Sequence, residues 1–115
     1  MTIRDFQTTI ERIYLAKDSR RGIDGTFRWF VEEVGELARE LRRKDQAEVR
    51  AVHLAGEFAD VFAWLASLAS QCEIDLERAA GAKYRAGCPK CRREPCVCEE
   101  LGTTHSPREA RSEVR

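Results

Sequence analysis

Apolar residues recur at helical spacing along most of this chain, and that periodicity restricts the fold more than any other feature. Residues three, four and seven positions apart lie on one face of an α-helix. In the first such stretch the apolar positions are Ile3, Phe6, Ile10 and Ile13. No stretch alternates apolar and polar residues with the period of two that is typical of a strand. The pattern therefore predicts an all-α body.

Four helices are predicted, and they cover residues 3–17, 27–44, 46–72 and 76–85. Thr2, Asp45 and Asp75 precede three of these helices and belong to the residue types that cap helix N-termini. The segment at residues 18–26 contains two glycines and is predicted to be a loop. From residue 99 onward almost no apolar residues occur, so this tail is predicted to be disordered.

The balance of charge restricts the partners of the protein. The formal net charge is zero, with 20 basic and 20 acidic residues. A chain without excess positive charge has no global field to attract nucleic acid or an anionic membrane. No run approaches the roughly 18 apolar residues of a membrane span, and the N-terminal stretch lacks the apolar core of a signal peptide. We therefore expect a soluble cytoplasmic protein without membrane or nucleic-acid partners.

Two short acidic motifs on the two central helices form the candidate site. The second helix carries Glu33 and Glu36, and the third carries Glu57 and Asp60. The members of each pair are three positions apart, so each pair lies on one side of its helix. At about 100° per residue, both pairs are displaced by a similar angle to the same side of the apolar stripe. Both pairs also lie roughly 15 Å from the predicted turn, so an antiparallel hairpin should bring all four carboxylates together.

Carboxylates that converge in this way repel one another strongly unless a cation lies between them. Magnesium takes oxygen ligands and keeps positions open for water and substrate phosphates, so the motifs predict a magnesium site. A solvated acidic face is the plainer alternative. A di-iron centre is another, but bundle di-iron sites use Glu-x-x-His motifs, and His53 does not provide that spacing.

The sequences that contain these motifs, WFVEEVGELARELRR and EFADVFAWL, resemble the signature of the MazG-type all-α nucleotide pyrophosphohydrolases. The resemblance covers residues 2–85 and implies a four-helix MazG-like bundle built on an antiparallel helical hairpin. It also implies magnesium-dependent cleavage of a nucleoside triphosphate between the α and β phosphates, which releases a nucleoside monophosphate and pyrophosphate. By motif position, the magnesium ligands are Glu33, Glu36, Glu57 and Asp60.

Further residues are candidates for contacts with the substrate. Lys83 and Arg85 occur where family members often place phosphate contacts, although the Asn that often accompanies them is missing here. Either residue type is also common on a solvated helix surface. Trp29 and Trp64 fall on the acidic flank of their helices, where they either stack on a base or are covered by a neighbouring helix or subunit. Glu32 either orients a water in the catalytic site or is a surface charge.

Four of the five cysteines crowd into one short segment: Cys88, Cys91, Cys96 and Cys98. They provide four thiolates, the number that a closed structural zinc site requires. In a reducing compartment clustered cysteines bind metal more often than they form disulfides; disulfides and an iron–sulfur cluster are the other interpretations. The zinc segment would either hold the chain end in place or contact a partner. Cys72 follows the apolar spacing and is predicted to be a core residue.

These patterns predict three regions: a helical domain at residues 1–86, a zinc segment at 87–98 and a tail at 99–115. A helical domain this short leaves a limited core, so self-association is expected, and the resemblance implies a homodimer or a tetramer. Arg20 and Arg21, in the predicted loop, are further candidates for contacts with phosphates or with a neighbouring chain. The competing hypothesis is a non-catalytic, zinc-containing helical interaction module whose acids form a solvated face.

Overall fold

The computed structural model describes residues 1–44 and 46–99, and within them it contains three helices. These are α1 (Ile3–Arg42), α2 (Ala47–Gln71) and α3 (Leu76–Tyr84). The predicted all-α class is confirmed, whereas the predicted count of four helices is not, because the first two predicted helices form one element. The predicted cap at Asp45 and nearly all of the predicted tail, residues 100–115, lie outside the described residues.

Helix α1 is broken at a single residue, Gly22, with φ 81° and ψ 170°, a backbone conformation that is essentially confined to glycine. The loop predicted at residues 18–26 is wrong, since the residues on both sides of Gly22 are helical. Two polar side chains of this segment, Asp18 and Thr26, are buried. Thr26 Oγ1 accepts a hydrogen bond of 2.7 Å from Gln71 Nε2 on α2. This tertiary contact explains why a segment with loop-type residues is helical.

The part of α1 after Gly22 runs antiparallel to α2. From one end of this pair to the other, the facing residues are Thr26 and Gln71, then Trp29 and Trp64, then Glu33 and Asp60. Residue numbers rise along α1 as they fall along α2, which defines the antiparallel direction. This arrangement is the helical hairpin that the sequence predicts.

The start of α1 is capped by Thr2, as predicted. Thr2 Oγ1 accepts a hydrogen bond of 3.0 Å from the backbone N–H of Asp5, and the Thr2 N–H donates to Asp5 Oδ2 at 2.9 Å. The backbone N–H of Thr2 is the main reason that the pKa of Asp5 is lowered. The buried Gln7 side chain donates to Ser70 Oγ at 3.0 Å and to the Ile74 carbonyl at 2.7 Å. These bonds attach the start of α1 to the end of α2.

Much of the apolar surface of the hairpin is exposed in the single chain; Val52 and Phe58 are 74% and 56% exposed. Contrary to the sequence-based expectation, α2 is long and apolar enough to cross a membrane by length and composition, since an 18-residue stretch of it has a mean hydropathy of 1.2. Core helices of soluble proteins also meet this criterion, but they are mostly buried, whereas only 11% of this stretch is buried in the single chain. The helix also carries Glu57 and Asp60, and ionised groups are costly within a bilayer.

The chain divides into two compact units, Met1–Asp75 and the part that begins at Leu76. The first unit contains the hairpin of α1 and α2. The second contains α3 and the cysteine segment. Within the second unit, Gly87 has φ 98°, and a Cβ atom there would lie 2.8 Å from the carbonyl oxygen of Arg93. Both the backbone conformation and the space therefore require glycine at this position.

Candidate metal sites and nucleotide cleft

The hairpin brings three acidic side chains together: Glu33 from α1, and Glu57 and Asp60 from α2. One carboxylate oxygen of each residue lies within 4.8 Å of the corresponding oxygens of the other two. Glu57 and Asp60 are three positions apart and so share a face of α2, and Glu33 of α1 lies opposite them. Glu33 and Glu57 are half-buried, and Asp60 is exposed. The group is therefore accessible to solvent at one side.

The electrostatics of this acidic group favour a bound cation. Burial raises the pKa of Glu33, and the negative charges of Asp60 and Glu57 raise it further. Glu57 Oε2 is buried and has no hydrogen-bond partner within the described residues. A buried carboxylate oxygen without a partner is costly, and a divalent cation with oxygen ligands would provide the missing interaction. The three side chains therefore fit a hard metal ion.

Two other predicted residues of this site lie outside the three-residue group. Glu36 lies one turn beyond Glu33, and its Oε2 accepts a hydrogen bond of 3.2 Å from Arg39 Nη1. Glu32 is exposed and lies beside the group in sequence; its negative charge contributes to raising the pKa of Glu33. The metal-binding role of Glu36 and the catalytic role of Glu32 stay predictions.

The two tryptophans pack against each other across the hairpin. Trp29 on α1 and Trp64 on α2 have ring centroids 5.8 Å apart and an angle of 10° between their planes. The guanidinium of Arg21 lies over the Trp64 ring, 4.9 Å from its centroid. Trp64 is half-buried by these neighbours, whereas Trp29 is exposed. The Trp29 ring is therefore more accessible to a base than the Trp64 ring. The substrate-binding role of both residues stays a prediction.

A cleft of about 210 Å³ adjoins the acidic group, and Asp60 belongs to both. Its other walls include Lys17, Asp18 and Arg21 from α1 and Trp64 from α2. Sequence reasoning considered Arg21 but missed Lys17 and Asp18, because both were placed at or before a loop. Lys17 could have been identified by its spacing from Arg21, because residues four positions apart place two cations on one helix face.

The two basic residues predicted near the end of the helical region, Lys83 and Arg85, belong to the second unit. The ammonium group of Lys83 lies over the Tyr84 ring, 5.7 Å from its centroid. The Arg85 backbone N–H donates to the Gly81 carbonyl at 3.1 Å, which continues the hydrogen bonding at the end of α3. Their predicted contacts with substrate phosphates stay predictions.

The four clustered cysteines form a second candidate metal site. Cys88 and Cys98 are buried and their sulfurs are 3.6 Å apart, while the sulfurs of Cys91 and Cys96 are 3.9 Å apart. A tetrahedral zinc ion with bonds of 2.3 Å to sulfur places its ligands about 3.8 Å apart. A disulfide would need a separation of about 2.05 Å. None of these four cysteines forms a disulfide, and their spacing fits a tetrahedral ion.

Backbone groups prepare this cluster to hold thiolates. The N–H groups of Cys91 and Lys90 lower the pKa of Cys88 to about 6, and the N–H of Val97 lowers the pKa of Cys91. The Cys98 N–H also acts to lower the pKa of Cys96, but the neighbouring sulfurs and burial raise it to about 12. Several thiolates this close repel one another, and a bound cation would relieve the repulsion.

Comparison with known protein families agrees with this geometry. The MazG nucleotide pyrophosphohydrolase domain matches residues 21–92, which is well over half of the chain. The protein therefore belongs to the MazG nucleotide pyrophosphohydrolase family. Searches of curated proteins and of solved structures each found no match. The matched range includes both acidic motifs and both tryptophans; it begins at Arg21 and leaves Lys17 and Asp18 outside.

Proposed function

We propose that this protein is a magnesium-dependent nucleoside triphosphate pyrophosphohydrolase, which cleaves the α–β phosphate bond to give a nucleoside monophosphate and pyrophosphate. The observation that carries the proposal is the convergence of Glu33, Glu57 and Asp60 within 4.8 Å in a MazG domain. Family membership supports a nucleotide substrate. The buried Glu57 oxygen without a partner supports a cation at the same point.

Bound magnesium would neutralise phosphate charge and make a coordinated water more acidic. In this proposal Glu33, Glu57 and Asp60 hold the ion, and Glu36 turns inward to complete the set. This rotation of the Glu36 side chain costs little free energy, because its partner is the 69% exposed side chain of Arg39. Exposed ion pairs contribute only about 0–1 kcal/mol to stability. Glu32, exposed beside them, would orient the attacking water.

Contacts with the rest of the substrate follow from exposure and family position. We propose that the base stacks on Trp29, because its ring is exposed beside the acidic group, and that Trp64 supports it from below. Lys83 and Arg85 are proposed to contact phosphates, as their motif position in the family suggests.

The activity can be tested with purified protein, magnesium and a panel of ribo- and deoxynucleoside triphosphates. Pyrophosphate is the expected product. Glu57→Gln should abolish its release, and Glu48→Gln is the matched control, because Glu48 is an exposed acid on the first turn of the same helix. Release of orthophosphate instead, or full activity in Glu57→Gln, would refute the proposed site. A wild-type protein that hydrolyses none of the panel yet binds zinc would favour a non-catalytic interaction module.

We also propose that the cysteine cluster holds a structural zinc ion in a cytoplasmic protein. Four thiols with sulfur separations of 3.6 and 3.9 Å match a closed tetrahedral site. Free cysteines that do not pair as disulfides are typical of a reducing compartment. Zinc would stabilise a segment that has few apolar residues of its own.

Self-association is part of the proposal. The hairpin exposes several large apolar side chains, such as Val52 and Phe58, and exposed apolar surface is typical of sites of association. A homodimer or a tetramer would bury them. Sedimentation velocity of the purified protein tests this directly, and a strictly monomeric species at micromolar concentration would contradict it.

A further inference from the structure

We infer that Lys17 and Arg21 form a binding site for the polyphosphate group of the substrate, and that Asp18 positions Arg21. The inference rests on the proposed function and assigns the cleft beside the acidic group. It depends on the contacts of Arg21, on the charges around the cleft and on the size of the cleft. The residues concerned on α1 precede the break at Gly22.

The guanidinium of Arg21 is held in one place by two neighbours. Its Nη1 donates a hydrogen bond of 2.8 Å to Oδ1 of Asp18, whose side chain is 4% exposed. Its central carbon lies 4.9 Å from the centroid of the Trp64 ring. The second contact covers a face of the guanidinium, and a planar guanidinium still has further N–H groups at its edge. Arg21 is thus preorganised to donate to an anion, which lowers the entropic cost of binding.

The charges around the cleft predict an anionic ligand. Lys17 and Arg21 are four positions apart, and like charges at this spacing repel each other on a helix. Asp18 compensates for only one of the two cations. The other acid in the cleft wall, Asp60, is shared with the acidic group, so a bound metal ion would neutralise it. With the metal bound, the cleft would have an excess of positive charge beside the metal site, within reach of the phosphates of a metal-bound nucleotide.

The size and the walls of the cleft favour phosphate over base. Its volume of about 210 Å³ is below the roughly 300–1,000 Å³ of pockets that enclose a whole small molecule. Arg21 and Trp29 already occupy positions against the Trp64 ring, so a base would have to displace one of them. Phosphate oxygens, in contrast, match the N–H groups of Arg and the ammonium of Lys.

Intrinsic fluorescence provides a readout that does not depend on catalysis. The protein has two tryptophans, and Trp64 lines the cleft while Trp29 stacks on it. Titration with inorganic tripolyphosphate in the presence of magnesium should change this fluorescence. Because a charge-assisted hydrogen bond contributes roughly 1.5–3 kcal/mol, Lys17→Gln and Arg21→Gln should each weaken tripolyphosphate binding at least about tenfold. Arg12→Gln, which removes an exposed cation of α1 outside the cleft wall, is the matched control and should bind as wild type.

The positioning role of Asp18 needs a double-mutant cycle. Asp18→Asn should weaken tripolyphosphate binding in the wild-type background and have no further effect in the Arg21→Gln background. Lys17 is exposed, so Lys17→Gln keeps the test valid if the Arg21 variant fails to fold. An additive effect of Asp18→Asn would overturn the positioning role.

Two outcomes would overturn the inference and leave the proposed function intact: unchanged tripolyphosphate affinity in both Lys17→Gln and Arg21→Gln, or a fluorescence response to an uncharged nucleoside but not to tripolyphosphate. A wild-type protein that releases no pyrophosphate would contradict the proposed function. Tripolyphosphate binding that depends on Lys17 would still support the polyphosphate-binding site in that case.

Discussion

Trp29 and Trp64 stack across the hairpin one helical turn away from the acidic group. Trp29 is four positions before Glu33, and Trp64 is four positions after Asp60, so each tryptophan shares a helix face with the acid of its own helix. The nearly parallel rings, 5.8 Å apart, therefore lie opposite each other in the same alignment of α1 and α2 that places Glu33 opposite Asp60.

Replacement of Trp64 by alanine should disturb that alignment. We expect a loss of about 1–3 kcal/mol in the free energy of unfolding, since the pair interaction and buried area of the ring are both removed. Magnesium affinity should fall as well, because the acids are no longer held opposite each other. Calorimetric titration with magnesium and chemical denaturation measure the two effects, and Trp64→Phe should retain most of both. Unchanged magnesium affinity in Trp64→Ala would show that the stack does not align the acids.

Replacement of Glu33 by glutamine should separate stability from metal binding. Burial and the neighbouring acids raise the folded-state pKa of Glu33, so its ionised form destabilises the metal-free fold at neutral pH. Glu33→Gln should therefore raise the melting temperature without metal by a few degrees, while the stabilisation that magnesium confers on the wild type should be lost. Thermal melts with magnesium and with a chelator test both parts. A lower metal-free melting temperature would contradict the repulsion.

Gly22 and Gly56 should respond to alanine in opposite directions. Space is open at both positions, where an added Cβ atom would meet nothing within 4 Å. Gly22 has φ 81° and ψ 170°, and forcing another residue into a sparsely populated conformation costs of order 1–3 kcal/mol. Gly56 is helical, so Gly56→Ala should stabilise by about 0.5–1 kcal/mol. Equilibrium denaturation of both variants is the measurement, and a neutral Gly22→Ala would mean that the break in α1 is not required.

Zinc removal should affect the cysteine segment selectively. Purified protein should contain one zinc ion per chain, because the four sulfurs form one site, and Cys98→Ser should lose it. Cys72→Ser is the matched control, since Cys72 lies outside the cluster and is an exposed free cysteine, so the prediction that it is a core residue is wrong. Metal analysis by mass spectrometry gives the stoichiometry, and limited proteolysis should show faster cleavage near the segment in Cys98→Ser. Iron with inorganic sulfide in place of zinc would overturn the assignment.

The candidate site could be predicted from the sequence only in part. The spacing of the acids places them on matching faces of two helices, and the antiparallel pairing then follows from the apolar stripes. Helical angle and rise locate a side chain to within about one turn. They do not resolve whether Glu36 faces the metal or Arg39, because that depends on a side-chain rotamer and on a neighbour at the surface.

By itself the sequence determined the all-α class, the cap at Thr2, the paired acids and the clustered thiols, because these depend on local periodicity, residue type and short spacing. Only the tertiary structure decided that α1 continues through residues 18–26 with one break at Gly22. It also placed Lys17, Asp18 and Arg21 beside Asp60. The physical reason is that burial of Thr26 against Gln71, and of Asp18 against Arg21, outweighs the local preference of glycine and aspartate for a loop. The Thr26–Gln71 contact joins residues 45 positions apart, which local patterns in the sequence do not reveal.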